Sequence, residues 1–214
     1  RAWSNLGATL ADLKRYTEAL DAHQTALDLY KQTDDTHNQA RAWSNFGNAL
    51  ADLKRYTEAL DAHQTALDLY KQTDDTQGQA RAWNNFGNAL ADLKRYTEAL
   101  DAHQTALDLY KQADDTQGQA RAWNNLGVDC RGLERHAEAI AAGEKAVAML
   151  TREEDWARAG EAWAELAATL NASGVEPSRV REAWEQSATA YTRAGDDEAA
   201  VTSRRNVENP PPSS

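Results

Sequence analysis

Residues 81–120 read RAWNNFGNALADLKRYTEALDAHQTALDLYKQADDTQGQA, and residues 41–80 are the same text with Ser44 in place of Asn84 and Thr73 in place of Ala113. Residues 1–40 differ from 41–80 at five positions, and residues 121–160 are a more divergent copy. Trp3, Trp43, Trp83, Trp123 and Trp163 fall in register at forty-residue intervals. A fixed period between about 20 and 50 residues is the mark of stacked supersecondary units. Such a stack presents a long surface, so it points to binding before catalysis.

One unit can be read from residues 74–120. Asp74-Asp75-Thr76-Gln77 reads as a helix start, because short acidic side chains accept bonds from free N–H groups and suit the dipole. Gln77 three residues after Asp74 has the spacing of a capping box. Helix A then carries Trp83, Phe86, Leu90 and Leu93 at spacings that place them on one face. Gly87 beside that face costs about 1 kcal/mol against Ala, which close approach of a partner helix would offset. The break is expected near Leu93-Lys94-Arg95, with helix B running from about Tyr96 to Gln112. Helix B bears two apolar stripes, Ala99/His103/Ala106/Tyr110 and Tyr96/Leu100/Leu107. A face that wide suits a helix wedged between its own partner and the next repeat. No stretch has the period-2 alternation of a strand.

Composition narrows the function. The 214 residues carry a net charge of −11, spread at −2 over each of the first three repeats. An acidic chain lacks the basic face that phosphate contacts require, so nucleic acid is not an expected partner. No apolar run approaches the roughly 20 residues of a membrane span, so a membrane is not expected either. The single cysteine, Cys130, cannot form an internal disulfide and fits a reducing compartment, which suggests a cytoplasmic location.

Trp83, Phe86, Gly87, Leu90, Tyr96, Ala99 and Ala106 stand at the spacing of the tetratricopeptide repeat signature. The run Ala82–Ala89 resembles the helix A consensus of that family. The usual unit has about 34 residues. Six more are present here, and Lys111 stands near the usual proline. This longer form is similar to the Pins/LGN scaffold family, to kinesin-light-chain-like proteins and to actinobacterial regulatory repeat proteins. The resemblance covers about residues 1–195 and implies an all-α, right-handed α-solenoid of antiparallel hairpins, a bacterial signalling role being one version.

The pattern decays toward the end. The fourth repeat keeps Trp123, Leu126, Gly127, Ala139 and Ala146 but has Cys130 for Leu, His136 for Tyr and Gly143 for His. The fifth keeps Trp163, Leu166, Leu170, Ala183 and Ala190, has Ala167 for Gly, and reads as carrying about four extra residues around 171–178. In 197–208, Arg205 and Glu208 stand at docking positions, so this helix is expected to cap a single solenoid domain over 1–208. Residues 209–214, rich in Pro and Ser, are expected to be a disordered tail. Arg1 opens helix A without the Asp-Asp start, so the chain reads as a fragment with an uncapped first repeat and a route to end-to-end self-association.

The resemblance places a concave groove along the A helices. The matching positions are Arg41, Ser44 and Asn48; Arg81, Asn84 and Asn88; and Arg121, Asn124 and Val128, with Arg131 as a further positive charge. Each set is spaced i, i+3, i+7 and so shares a face. Asn amides suit a peptide backbone and Arg suits a carboxylate, so the expected ligand is a protein or peptide with acidic side chains. Asn85 and Asn88 equally match family positions that serve the fold, and Arg81 could pair with Asp74 or Asp75. Lysine stands at positions 4, 44, 84 and 124 in carboxylate-clamp co-chaperones; Ser or Asn stands there here.

His23, His63 and His103 recur at the period but read as packed rings, since successive repeats lie too far apart for one ~2 Å coordination shell. Cys130 reads as a buried replacement for Leu. No phosphate loop, HExxH or GxSxG is present, so no enzyme, metal or cofactor is expected.

Overall fold

The computed structural model describes residues 2–208. Arg1 and the tail expected over 209–214 lie outside the described residues. Eleven helices and no strands account for the described regular structure. They are α1 (Ala2–Asp12), α2 (Tyr16–Lys31), α3 (Thr36–Asp52), α4 (Tyr56–Gln72), α5 (Thr76–Asp92) and α6 (Tyr96–Gln112) in a first compact unit ending at Asp114. A second unit, from Asp115, holds α7 (Thr116–Gly132), α8 (His136–Arg152), α9 (Trp156–Ala172), α10 (Pro177–Ala194) and α11 (Asp197–Glu208). Odd-numbered helices up to α9 are the A helices and even-numbered ones the B helices. The architecture is an all-α repeat solenoid, with the expected break at residues 93–95 in place.

The hairpin turns explain why so few glycines are needed. Lys54, Lys94 and Glu134 adopt φ of 60°, 59° and 59°, the left-handed conformation. At each, two hydrogen bonds close the helix end: Lys94 N–H donates to the Ala91 carbonyl and Arg95 N–H to the Leu90 carbonyl, at 2.8 and 2.9 Å. This is the Schellman arrangement, here with Lys in the place Gly usually takes. A non-glycine residue pays strain of roughly 1–2 kcal/mol there. Among the described residues glycine takes such a place twice, Gly174 after α9 at φ 68° and Gly195 after α10 at φ 78°.

The second turn corrects the expected capping box. Asp74 and Asp114 are themselves left-handed, at φ 50° and 51°. The N-caps are therefore Asp75 and Asp115, whose carboxylates accept from the N–H of Gly78 and Gly118 at 2.8 Å. The residue three places on is then a glycine, and the Asp74/Gln77 box does not form.

The core of the first unit is built from Leu50, Leu67, Leu90 and Leu107 with small alanines, all at most 3 % exposed. The marker tryptophans are not its centre. Trp43 and Trp83 are half-buried at its edge, edge-on to Phe46 and Phe86 and overlaid by Lys31 and Lys71.

Close helix approach follows the glycines. A Cβ on Gly7, Gly47 or Gly87 would lie 2.5–2.6 Å from the ring of His23, His63 or His103. His103 is 1 % exposed, and its Nε2 lies 3.2 Å from the Asn84 carbonyl and 3.1 Å from Asn88 Oδ1. In the second unit Gly143 stands where the histidine was, and a Cβ on Gly127 would meet the Ala139 carbonyl at 3.3 Å.

The fifth repeat needs a correction of register. The buried residues of α8 are Ala139, Ala142, Gly143, Ala146, Val147 and Leu150. In α10 they recur as Val180, Ala183, Trp184, Ser187 and Ala188, one residue beyond the forty-residue spacing. The connection is thus longer by one residue, not four. A shift of three or four residues returns a helix to nearly the same face, so the match through Ala183 and Ala190 was one turn out. Trp184, 6 % exposed, occupies the histidine position opposite Ala167. The α11 helix packs on α10 through Ala200 and Ser203, whose hydroxyl lies 3.0 Å from that of Ser187.

Candidate functional site

A concave groove of about 450 Å³ opens on the A helices of the first unit. From α1 it takes Ala8, Ala11 and Asp12; from α3, Asn45, Asn48 and Asp52; from α5, Asn85, Asn88 and Asp92. His23 of α2 and His63 of α4 close its floor. Asn85 Nδ2 donates to Asn48 Oδ1 at 2.9 Å, linking α5 to α3. Each amide has two donors and two lone pairs, so capacity remains for a ligand backbone.

The electrostatics of this groove are acidic and amide-rich. Asp52 and Asp92 have their carboxyl pKa values raised by burial. The His63 ring is 1 % exposed, and burial lowers its pKa to about 4, so it is neutral near pH 7. Burial lowers His23 as well. Asp12, Asp52 and Asp92 close their helices, at the negative end of the dipole, where a carboxylate is unfavourable by roughly 0.3–1 kcal/mol.

The ladder expected from the sequence divides into separate places. Asn48 and Asn88 line the groove. Arg41 lies in a smaller recess of about 280 Å³ with Ser4, Asn5, Tyr30, Asn38 and Asn45. Burial raises the Tyr70 pKa, against smaller lowering influences from Ser44, Arg41 and Arg81 nearby. Asn84 is 3 % exposed and inside the hairpin, so the Ser44/Asn84 difference falls on a packing position and not on an open face. In the second unit Arg121 and Asn124 are half-buried, and Arg131 reaches Glu165 of α9 at 2.7 Å. Arg131 is therefore an inter-repeat ion pair, not an added free charge. The groove lining contains no arginine, which removes the basis for an acidic ligand there.

Asn45 and the three aspartates escaped the sequence reading, which took Asn85 only for a position that serves the fold. The available signal was the aspartate at the end of each A helix of the first unit, a locally unfavourable choice made three times. Cys130 is buried, 5 % exposed, with its thiol pKa pushed up by burial. Among the described residues no cluster of three or more His, Cys, Asp or Glu side chains is placed to hold a metal ion. No described helix is long and apolar enough to cross a membrane.

Stacked helix hairpins with a groove along one set of helices define a helical-repeat interaction fold. The family model of the tetratricopeptide repeat matches residues 1–72 and 78–152, and the chain belongs to that family. No curated protein matches in sequence. Among solved structures, a Rap protein complexed with Competence and Sporulation Factor superposes with a TM-score of 0.85 at 18 % identity, over 94 % of this chain and 56 % of that one. The kinesin-light-chain-like repeats of Podospora anserina superpose at 0.71 and 13 % identity, over 91 % of this chain and 95 % of theirs. A signal transduction ATPase with a tetratricopeptide repeat sensor, from Pyrococcus horikoshii, does so at 0.72 and 14 %, over 96 % and 36 %. The chain spans about half the length of the Rap protein it matches. At these identities the likeness is one of fold.

Proposed function

We propose that the chain is a protein-interaction module that binds an extended segment of a partner in the groove of its first unit. The observation that carries this is the row of Asn45, Asn48, Asn85 and Asn88 along one concave surface. Amides alternating donor and acceptor match a peptide backbone whose own groups are unpaired. Of the residues singled out in the sequence, Asn48 and Asn88 are ligand contacts in this reading, and Arg41 and Arg81 serve the surface around Tyr70. The complex of the Rap protein with its factor supports the use of this fold for ligand recognition. The net charge of −11 supports a protein partner over a nucleic acid. Capture from a random peptide library by the wild type and by Asn45→Ala/Asn85→Ala tests it. The expected result is loss of captured sequences while the fold persists, with stability lowered by no more than about 1 kcal/mol for the lost Asn85–Asn48 bond. Equal capture by both proteins removes the groove.

A second reading, a sensor region of a larger signalling regulator, is favoured by the repeat sensor of the Pyrococcus ATPase. It requires a nucleotide-binding or other effector domain in the same polypeptide, and a coding sequence without one removes it. Self-association is favoured by Trp3 and Leu6 on α1, which are 44 % and 45 % exposed. Light scattering of a concentration series tests it, and a monomer throughout removes it. The reading also takes residues 1–208 as one domain. Limited proteolysis that leaves two stable halves divided near Asp114 would break that assignment.

A further inference from the structure

Asp12, Asp52 and Asp92 line one groove, and none has an ion pair or side-chain hydrogen bond among the described residues. Their lining neighbours include no Lys or Arg. Each closes an A helix and so faces the dipole in its unfavourable sense. A second observation is independent of the carboxylates. The His63 side chain is 1 % exposed, lines the same groove, and its Nδ1 has no hydrogen-bond partner; His23 Nδ1, in a ring 5 % exposed, has none either. Both nitrogens are enclosed against Gly47 and Gly7, and burial keeps the two rings from charging, so the histidines floor the groove without bringing it a positive charge. The groove thus holds uncompensated negative charges and offers no cation of its own.

We propose that this groove receives a basic, extended segment of a partner protein, with Lys or Arg at every third position facing Asp12, Asp52 and Asp92. This deepens the peptide-binding reading above and rests on it. The spacing follows from helix packing. Neighbouring A helices touch, as the Asn85–Asn48 bond shows, and packed helices lie about 8–10 Å apart. A polyproline-II segment has three residues per turn and advances about 3.1 Å per residue. Every third side chain then returns to one face after about 9 Å, in step with the carboxylates. A flat strand would turn alternate third residues away. The asparagine amides form rows beside the carboxylates, Asn48 and Asn88 about one helical turn and Asn45 and Asn85 about two turns before Asp52 and Asp92, within reach of the backbone of such a segment. Burial raises Asp52 and Asp92, as expected of carboxylates that lack a counter-ion, and a bound cation supplies one.

The test is fluorescence anisotropy with three labelled twelve-residue peptides, repeats of Lys-Pro-Pro, Gln-Pro-Pro and Glu-Pro-Pro. The whole 214-residue chain is used. Because the chain is acidic overall, a decoy variant is required. Asp52→Asn/Asp92→Asn removes two groove charges, and Asp61→Asn/Asp101→Asn removes two from exposed positions on the B helices. The expected result is that the lysine peptide binds, that the groove variant weakens it by about tenfold or more, and that the decoy changes it less than about twofold. Equal loss in both variants, or no loss in the groove variant, overturns the assignment. Preference for the glutamine or glutamate peptide, with sensitivity to Asn45→Ala/Asn85→Ala, overturns the charge assignment and leaves the peptide groove standing. Failure of all three peptides, together with equal library capture by the asparagine variant, overturns both.

Discussion

The same interface between helices A and B is filled in three ways along this chain. In the three near-copies a glycine on the A helix accepts a histidine ring from the B helix. In the fourth repeat both sides are glycine and the backbones themselves approach, while Leu166 of α9 lies 3.1 Å from where a Gly143 Cβ would be. In the fifth, Ala167 faces the position of Trp184. What persists is the filled volume between two helices, not the residue that fills it. That is how cores behave: close packing is required, and its partition between partners is negotiable.

The largest expected contrast between the units is acid sensitivity. Burial holds the pKa of the His63 imidazole down to about 4 in the folded chain, against its ordinary 6.5 when unfolded. Between those values the unfolded chain binds the extra proton, so stability is full above pH 6.5 and falls as pH drops toward 4. The loss from this one ring is up to about 3 kcal/mol. The corresponding positions in the second unit are Gly143 and Trp184, which do not titrate in this range. Hydrogen exchange should therefore show α3 and α4 losing protection between pH 7 and 4.5 while α7 and α8 change less. Equal loss in both units would break the comparison.

A smaller effect should separate the two kinds of glycine. Gly87→Ala drives a methyl into the His103 ring and should cost about 1–3 kcal/mol in urea unfolding. Gly127→Ala meets a carbonyl at 3.3 Å and also gains helix propensity, so about 1 kcal/mol or less is expected. The double variant Gly87→Ala/His103→Ser should recover part of the loss, with a coupling of about 1 kcal/mol. Strict additivity would mean that the ring and the glycine do not share one space.

The smallest contrast lies in the turns. Lys94→Gly should raise stability by about 0.5 kcal/mol, because relief of left-handed strain exceeds the added unfolded-state entropy. Gly174→Ala, at φ 68°, should lower it by about 1 kcal/mol. Thermal melts of both variants read the pair, and a destabilised Lys94→Gly would contradict the strain argument.

The helices were legible because apolar spacing of three and four is a local property. The break at Leu93-Lys94-Arg95, the packed histidines and the buried Cys130 all followed from it. Three things were not local. The cap at Asp75 depends on Asp74 turning left-handed, and no glycine announces that turn. The register of α10 was ambiguous by one helical turn. On the A helices the recess is lined by Asn45 and Asn85 beside the expected Asn48 and Asn88, while Asn84 is buried. One residue rotates a helix by about 100°, and only the position of the packed B helix decides which side remains open.

A recognition surface assembled from copies has little to tell one frame of a bound chain from the next. A ligand with a matching three-residue rhythm could settle on α1 and α3 or on α3 and α5 at similar energy. Such degeneracy favours repeated rebinding over a single pose, and it would make avidity grow with ligand length. One substitution works against it. Ala8 stands in α1 where Asn48 and Asn88 stand in α3 and α5, so the first step of the ladder lacks an amide that the other two possess. In the proposed reading, that missing rung gives the groove a distinguishable end, and with it a direction in which a partner would be read.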